Sequence, residues 1–342
     1  MANDWEKVAN VLDAVNKPAR YIGDEFNIQT KEWAATDLTV ALAFPDIYEI
    51  GMSHLGLRII YELINDQTGM LAERVFAPWS DYQKLLNDQD IRLQTLENKQ
   101  PLSAFDVIGF SLQYELSYTN ILTMLSLGGI PLFSNERNQH HPIVIGGGPC
   151  ALNPEPMAEF FDLFFLGEAE EGLIEILIVI SAWKKTGAGK EALYDQVEHF
   201  AGVYIPSRFQ VVYGDHGLIS QIIPKTAHRP VRAVARDFGQ VFFPKKWLVP
   251  YLDIVHDRVA YEIQRGCTKG CRFCQAGMIY RPVREKLPET IMTALTDLVA
   301  HTGYEEISLT SLSSADYSRI DELLSKICGC FTPLRVNVSL PS

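Results

Sequence analysis

Apolar residues follow two rhythms along this chain. Leu38–Phe44 is apolar at every position but Thr39 and stops at Pro45-Asp46. An apolar run of that length predicts a strand covered on both faces, as in a parallel sheet. Leu55, Ile59, Ile60 and Leu63 then recur at helical spacing and predict a helix from Gly51 to Asn65. The cycle repeats with strands at Asp106–Ser111, Pro142–Ile145 and Asp162–Leu166, and with helices at Tyr118–Leu127 and Glu170–Lys184. Such alternation predicts an α/β, doubly wound, flavodoxin-like parallel sheet. Ligands of these sheets sit beyond the carboxyl ends of the strands, which here carry Pro45-Asp46, Ser111-Leu112, Gly146-Gly147-Gly148 and Gly167-Glu168. The glycine triplet admits two readings, a tight structural turn or a cradle for a ligand.

The pattern becomes irregular after Lys185. Gly202–Pro206, Phe209–Tyr213 and Ile219–Ile223 suggest short strands, two of them around the turn Gly214-Asp215-His216-Gly217. From Arg258 the alternation resumes: strand Arg258–Gln264, helix Pro288–His301, strand Glu305–Thr310, helix Ser318–Cys328 and strand Leu334–Leu340. The chain therefore divides into an N-terminal extension (1–36, with Lys17–Tyr21 as a helix-ending turn), a Rossmann-like domain (37–185), a connector (186–256) and a βαβαβ domain (257–342).

Composition narrows the function classes. Of 342 residues 47% are hydrophobic and 21% charged, the balance of a globular protein. The net charge of −12 argues against a chain that coats nucleic acid along its length. No apolar run reaches bilayer length, so no membrane partner is expected. Met1 to Glu6 has neither a basic flank nor an apolar core, which predicts a cytoplasmic protein. In that reducing compartment the six cysteines read as metal ligands or core residues rather than disulfides. Residues 225–286 carry 13 Lys and Arg against 5 Asp and Glu. That local excess is compatible with RNA or phosphate, and equally with a bound carboxylate, an anionic cluster or plain solvation.

The cysteines then change the picture. Cys267, Cys271 and Cys274 follow a strand at spacing C-x3-C-x2-C, with Gly266 and Gly270 to bend the loop. Thiolates suit iron–sulfur clusters and zinc. Three ligands leave one iron of a [4Fe–4S] cube free for a substrate or cofactor. Structural zinc wants four ligands, and Cys328-Gly329-Cys330 could close such a site. However, Leu323, Leu324 and Ile327 place Cys328 by an apolar helix face.

Gly266 to Gly277, with Phe273 just before the last cysteine, resembles the radical S-adenosylmethionine (SAM) motif. That resemblance implies that Cys267, Cys271 and Cys274 hold a [4Fe–4S] cluster whose free iron chelates SAM. One electron then yields methionine and a 5′-deoxyadenosyl radical. It also implies that Phe273 lies near the adenine and that the Thr310–Ser314 loop, including Thr310, Ser311 and Ser313, lies near the SAM amino group. A plain helix cap at Ser313, Ser314 or Asp316 is the alternative for that loop. Ile145–Pro149, Pro154-Glu155-Pro156 and Asp162–Glu170 resemble the cobalamin-binding-type domain that precedes many radical SAM domains. The resemblance departs at one point: no Asp-x-His-x-x-Gly follows the first strand, and His54 is not two residues after an aspartate. Cobalamin through a histidine is therefore not expected, cobalamin without that ligand stays open, and His54 reads as a helix-start residue.

Lys17–Gly23 and Leu309–Tyr317 extend the resemblance over nearly the whole chain, to a bacterial family that joins a cobalamin-type domain to a radical SAM domain. It implies a partial (β/α)6 barrel, of which only the first βα units are present, so the chain reads as truncated within the barrel and poorly active alone. It further implies a low-potential electron donor such as a flavodoxin or ferredoxin, and modification of RNA or of a small molecule or lipid. The alternatives are a zinc-stabilised α/β binding module and an inactive fragment of a radical SAM enzyme.

Overall fold

The computed structural model describes residues 4–340. Residues 1–3 and Pro341-Ser342, which follow the last expected strand and bear the truncation reading, lie outside the described residues. The chain forms two compact units. The second takes Glu25–Ile28, Met52–Ile59 and the chain from Ala235, and the first takes the rest up to Val234. The division at Val234/Ala235 falls inside the segment read as a connector.

The first unit is built on six strands: β1 Leu38–Phe44, β2 Met70–Phe76, β3 Val107–Ser111, β4 Ile143–Gly147, β5 Leu163–Phe165 and β6 Val203–Tyr204. Their order is β2-β1-β3-β4-β5-β6. The first five are parallel, and β6 runs antiparallel to β5. This is the flavodoxin-like order with one added antiparallel edge. Every position of β1 is buried, which is why its sequence is a continuous apolar run.

Strand β2 is buried at every position too, yet its centre is Glu73-Arg74, so no apolar run announces it. The charges are compensated inside. Arg74 Nε lies 2.7 Å from Glu97 Oε1 and its guanidinium lies 5.4 Å from the Tyr61 ring. Glu73 accepts from Thr95 Oγ1 and from the backbone and side chain of Asn98. The same 95–98 segment covers the sheet edge, since Leu96 N–H donates to Arg74 O at 2.9 Å.

Asp162, at the start of β5, anchors the other side. It accepts from Arg137, Lys190, Tyr194 and the Val144 amide, and the Arg137–Asp162 pair is fully buried. The N-terminal extension is part of this core, through Val8, Leu12 and Val15. Pro18–Arg20 is a single 3-10 turn after Lys17. The expected helix from Gly51 to Asn65 is two pieces, Tyr48–Gly51 and Leu55–Asn65. Strands β7 Phe209–Tyr213 and β8 Ile219–Pro224 form a separate antiparallel hairpin.

The second unit holds β9 Val259–Glu262, β10 Gln264–Arg265, β11 Arg284–Glu285, β12 Glu306–Thr310 and β13 Asn337–Ser339. Strands β9, β12 and β13 are parallel in the order β13-β12-β9, and β10 pairs antiparallel with β11. The crossover helices are Pro288–Thr302 and Ile320–Phe331. The first buries Ile291, Leu295 and Leu298, spaced along one face, and ends at Gly303, whose φ of 72° is the left-handed cap. Among the described residues no helix is long and apolar enough to cross a membrane.

Candidate functional site

In the second unit the carboxyl ends of β9 and β12 are neighbours, with Glu262 opposite Thr310. The chain leaves β9 through Ile263, whose N–H donates to Thr310 O at 3.0 Å, and enters β10. The β10–β11 ladder closes the base of the cysteine loop, with Arg265 opposite Arg284. Gly266 then turns at φ 90°, where a Cβ would lie 2.7 Å from both Pro282 O and Tyr280 O. Only glycine fits that point.

The three cysteines are all free thiols: Cys267 is buried, Cys274 half-buried and Cys271 exposed. Cys274 N–H donates to Cys271 O at 3.1 Å, and Gly277 N–H donates to Cys274 Sγ at 3.4 Å. Among the described residues no group of three His, Cys, Asp or Glu side chains forms the shell of a single metal ion. A cube, in which each thiolate takes its own iron, does not ask the sulfurs to meet at one point. Cys328 and Cys330 are both exposed on the helix Ile320–Phe331. The apolar packing expected at Cys328 is not what the helix does: Leu323, Ile327 and Phe331 fill that face instead.

Phe273 is 93% exposed, so it serves no core and is available to stack on a ligand. In the loop after β12, most hydroxyls are committed locally. Ser311 Oγ and Ser314 Oγ are 3.0 Å apart, Ser313 N–H donates to Ser311 Oγ, and Ser314 Oγ donates to Leu309 O. Ser313 Oγ donates to Asp316 Oδ2 at 2.8 Å rather than capping the turn that follows. Asp316 also meets Lys269 Nζ at 3.1 Å, which fastens the cysteine loop to the β12 loop. The Ser313 hydroxyl first, and Lys269 second, hold the Asp316 carboxyl below its usual range. Lys269 lies inside the cysteine motif, but no local pattern shows its partner 47 residues further on. Thr310 Oγ1 is different: it is buried and has no partner. A buried hydroxyl without a partner is costly and marks a place where a ligand atom belongs. Thiolate donors, a backbone that only glycine allows, an exposed aromatic and an unsatisfied hydroxyl together fit an iron–sulfur cluster with an organic cofactor above it.

The carboxyl edge of the first sheet has another character. Its glycines are filled by their own chain: a Cβ on Gly146 would meet the Phe164 ring at 2.7 Å, one on Gly148 Leu112 O at 2.8 Å and one on Gly167 Ala233 O at 2.2 Å. The tight-turn reading of the triplet holds there, and Gly147 is the least confined of the three, a Cβ on it meeting only Phe165 O at 4.0 Å. Tyr114, Leu116 and Trp79 are exposed at the ends of β3 and β2, and Tyr114 OH donates to Asp46 Oδ2 at 3.4 Å. Cys150 is half-buried next to Tyr118, and burial first, then Glu115, raises its thiol. His54 caps the helix Leu55–Asn65, its Nδ1 accepting from Leu57 N–H at 3.1 Å.

Residues 56–206 match the family described as "Radical SAM proteins, N-terminal", and residues 261–340 match the "Radical SAM superfamily". "Uncharacterized protein MJ0966" of Methanocaldococcus jannaschii is 25% identical over 304 residues, 88% of this chain and 54% of that protein. Two structures of the radical S-adenosylmethionine methyltransferase TsrM from Kitasatospora setae share the fold. The one with tryptophan substrate and a SAM analog has a TM-score of 0.53 at 14% identity, covering 88% of this chain and 54% of that one. The one with cobalamin and a [4Fe–4S] cluster has 0.52 at 12%, covering 88% and 53%. This chain spans about half the length of these relatives.

Proposed function

From its membership of the radical SAM superfamily, we propose that this chain binds a [4Fe–4S] cluster through Cys267, Cys271 and Cys274 and holds SAM against it. The observation that carries the reading is the cysteine loop, fixed at its base by Gly266 and the β10–β11 ladder, beside the unsatisfied Thr310 hydroxyl. A cluster held there would supply the single electron that reductive cleavage of SAM to methionine and a 5′-deoxyadenosyl radical requires. The protein's own part is positional. Three thiolates hold three irons and leave the fourth open. Gly277 N–H donates to the Cys274 sulfur and orients it. The Thr310 hydroxyl donates to or accepts from the amino-acid end of SAM, Ser311 and Ser313 keep that loop in shape, and Phe273 covers the adenine. A low-potential one-electron donor of the flavodoxin or ferredoxin kind supplies the electron. The cluster bound in the TsrM structure supports this reading.

A corrin on the carboxyl edge of the first sheet belongs to the same proposal, in a form without a histidine ligand. Exposed Trp79, Tyr114 and Leu116 offer it an apolar seat, whereas the His54 imidazole is engaged as a helix cap.

Anaerobic reconstitution with iron and sulfide, followed by EPR of the reduced protein, tests the reading. About four irons per chain and a signal that shifts on adding SAM are expected. Replacement of all three cysteines by alanine removes both. Stoichiometric zinc in place of iron overturns the proposal.

A further inference from the structure

Thr310 Oγ1 has a counterpart on the neighbouring strand. Gln264 Oε1 is also buried and also has no partner. Gln264 opens β10 and is 3% exposed, so bulk water does not satisfy its amide oxygen. Its neighbour Arg265 is forked onto Glu262 at 2.7 and 3.0 Å. A carboxamide so placed costs stability, and an apolar side chain of the same length would not.

The two oxygens share one face of the sheet. Val259 and Tyr261 of β9, Ile263 after it, and Ile307 and Leu309 of β12 all enter the apolar cluster built with the crossover helices. Side chains alternate along a strand, so Glu262, Gln264 and Thr310 fall on the opposite face. Glu262 is the register partner of Thr310. Ile263 N–H donates to Thr310 O at 3.0 Å, so the chain passes Thr310 as it reaches Gln264. Gln264 pairs with Glu285 in the ladder that closes the base of the cysteine loop. Cys267 follows three residues later, a span of at most about 11 Å of extended chain.

Chemistry narrows what belongs at this face. A carboxamide oxygen only accepts, so its missing partner is a donor. Cluster sulfides and the SAM carboxylate donate nothing. Chelation by iron uses the lone pair of the SAM amino group and leaves that nitrogen two N–H donors. Two acceptors at neighbouring strand ends match two donors on one nitrogen. An uncharged acceptor also suits this donor, because a carboxylate would favour the protonated ammonium, which has no lone pair for iron.

We propose that Gln264 is a cofactor-binding residue whose carboxamide oxygen accepts from the amino group of SAM, as the second acceptor for that group beside Thr310. The proposal rests on the cluster and SAM reading above and deepens it: the chain entering the cysteine loop, as well as the loop after β12, holds the amino-acid end.

The test compares the reconstituted parent chain with Gln264→Met, which keeps the length of the side chain and removes the amide. Calorimetry is run with SAM and with 5′-methylthioadenosine, which carries the nucleoside but no amino acid. Gln264→Met should weaken SAM about tenfold, the worth of one hydrogen bond. It should leave 5′-methylthioadenosine within about twofold of the parent. Without ligand the variant should melt no lower than the parent, since no bond within the protein is lost. Gln264→Leu is read in the same way should Gln264→Met fail to fold. Unchanged SAM affinity overturns the proposal and leaves the cluster reading intact; an ordered water then satisfies the oxygen. Equal weakening of both ligands also overturns it, because the contact then lies at the nucleoside. A parent chain that takes up no cluster, or whose EPR signal ignores SAM, overturns both readings together.

Discussion

The carboxyl ends of the two parallel sheets make an instructive contrast. In the first unit Gly146, Gly148 and Gly167 are packed against Phe164, Leu112 and Ala233, and the buried charges Glu73, Arg74, Arg137 and Asp162 all have partners within the unit. In the second unit the corresponding end carries three free thiols, a hydroxyl without a partner and a phenylalanine in solvent. The glycines differ in the same way. Those of the first sheet let the protein pack on itself, whereas Gly266 lets the chain bend so that three thiols share one loop. A parallel sheet places loops at its carboxyl end in both cases. What separates the two ends is the polar valence the fold leaves unspent at the second.

The contrast is tested most strongly at Asp162. Asp162→Asn leaves Arg137 and Lys190 buried with weakened compensation, and removing one partner of a buried pair costs about 3–5 kcal/mol. Thermal unfolding should shift down accordingly, while the iron bound per folded chain stays at the parent value. Loss of iron from correctly folded Asp162→Asn would show that the two ends are not separable. Gly266→Ala should do the reverse. A residue with a Cβ at φ 90° costs about 1–3 kcal/mol, and here that Cβ also meets two carbonyl oxygens. The expected result is a smaller drop in melting temperature with most of the iron lost on reconstitution. Full iron loading in that variant would sink the argument that the glycine shapes the loop.

How legible this was in the sequence depends on where the polar groups fall. Strand β1 and the helix Pro288–Thr302 were plain because their burial follows one simple period. Strand β2 was not, because Glu73 and Arg74 interrupt the run, and the partners that make them tolerable, Glu97, Thr95 and Asn98, lie about twenty residues on. The helix starts at Leu55 rather than Gly51, a break that the apolar spacing runs across, and His54, read from the sequence as a helix-start residue, is its cap. The cysteine loop was legible since its three thiols are local in sequence. The Lys269–Asp316 bridge was not, being assembled from segments far apart in the chain. Periodicity reports burial. It does not report which distant side chain makes the burial of a charge acceptable.

Thr310→Val has the smallest expected effect, and its sign is what gives it weight. Valine keeps the shape of threonine and removes the unsatisfied Oγ1. At an ordinary core position with a satisfied hydroxyl the change destabilises, because a hydrogen bond is lost. Here no bond is lost within the protein, so the protein without ligand should become more stable by about 1 kcal/mol. The same change should weaken SAM, by the loss of one ligand hydrogen bond, about tenfold or less in Kd. Melting temperature without SAM and SAM binding by calorimetry on the reconstituted protein read the two signs separately. A variant more stable alone and poorer at binding is the signature of a group kept for its ligand. A variant less stable alone, with SAM binding unchanged, would return Thr310 to the class of structural residues and remove the distinction between the two sheet ends at that position.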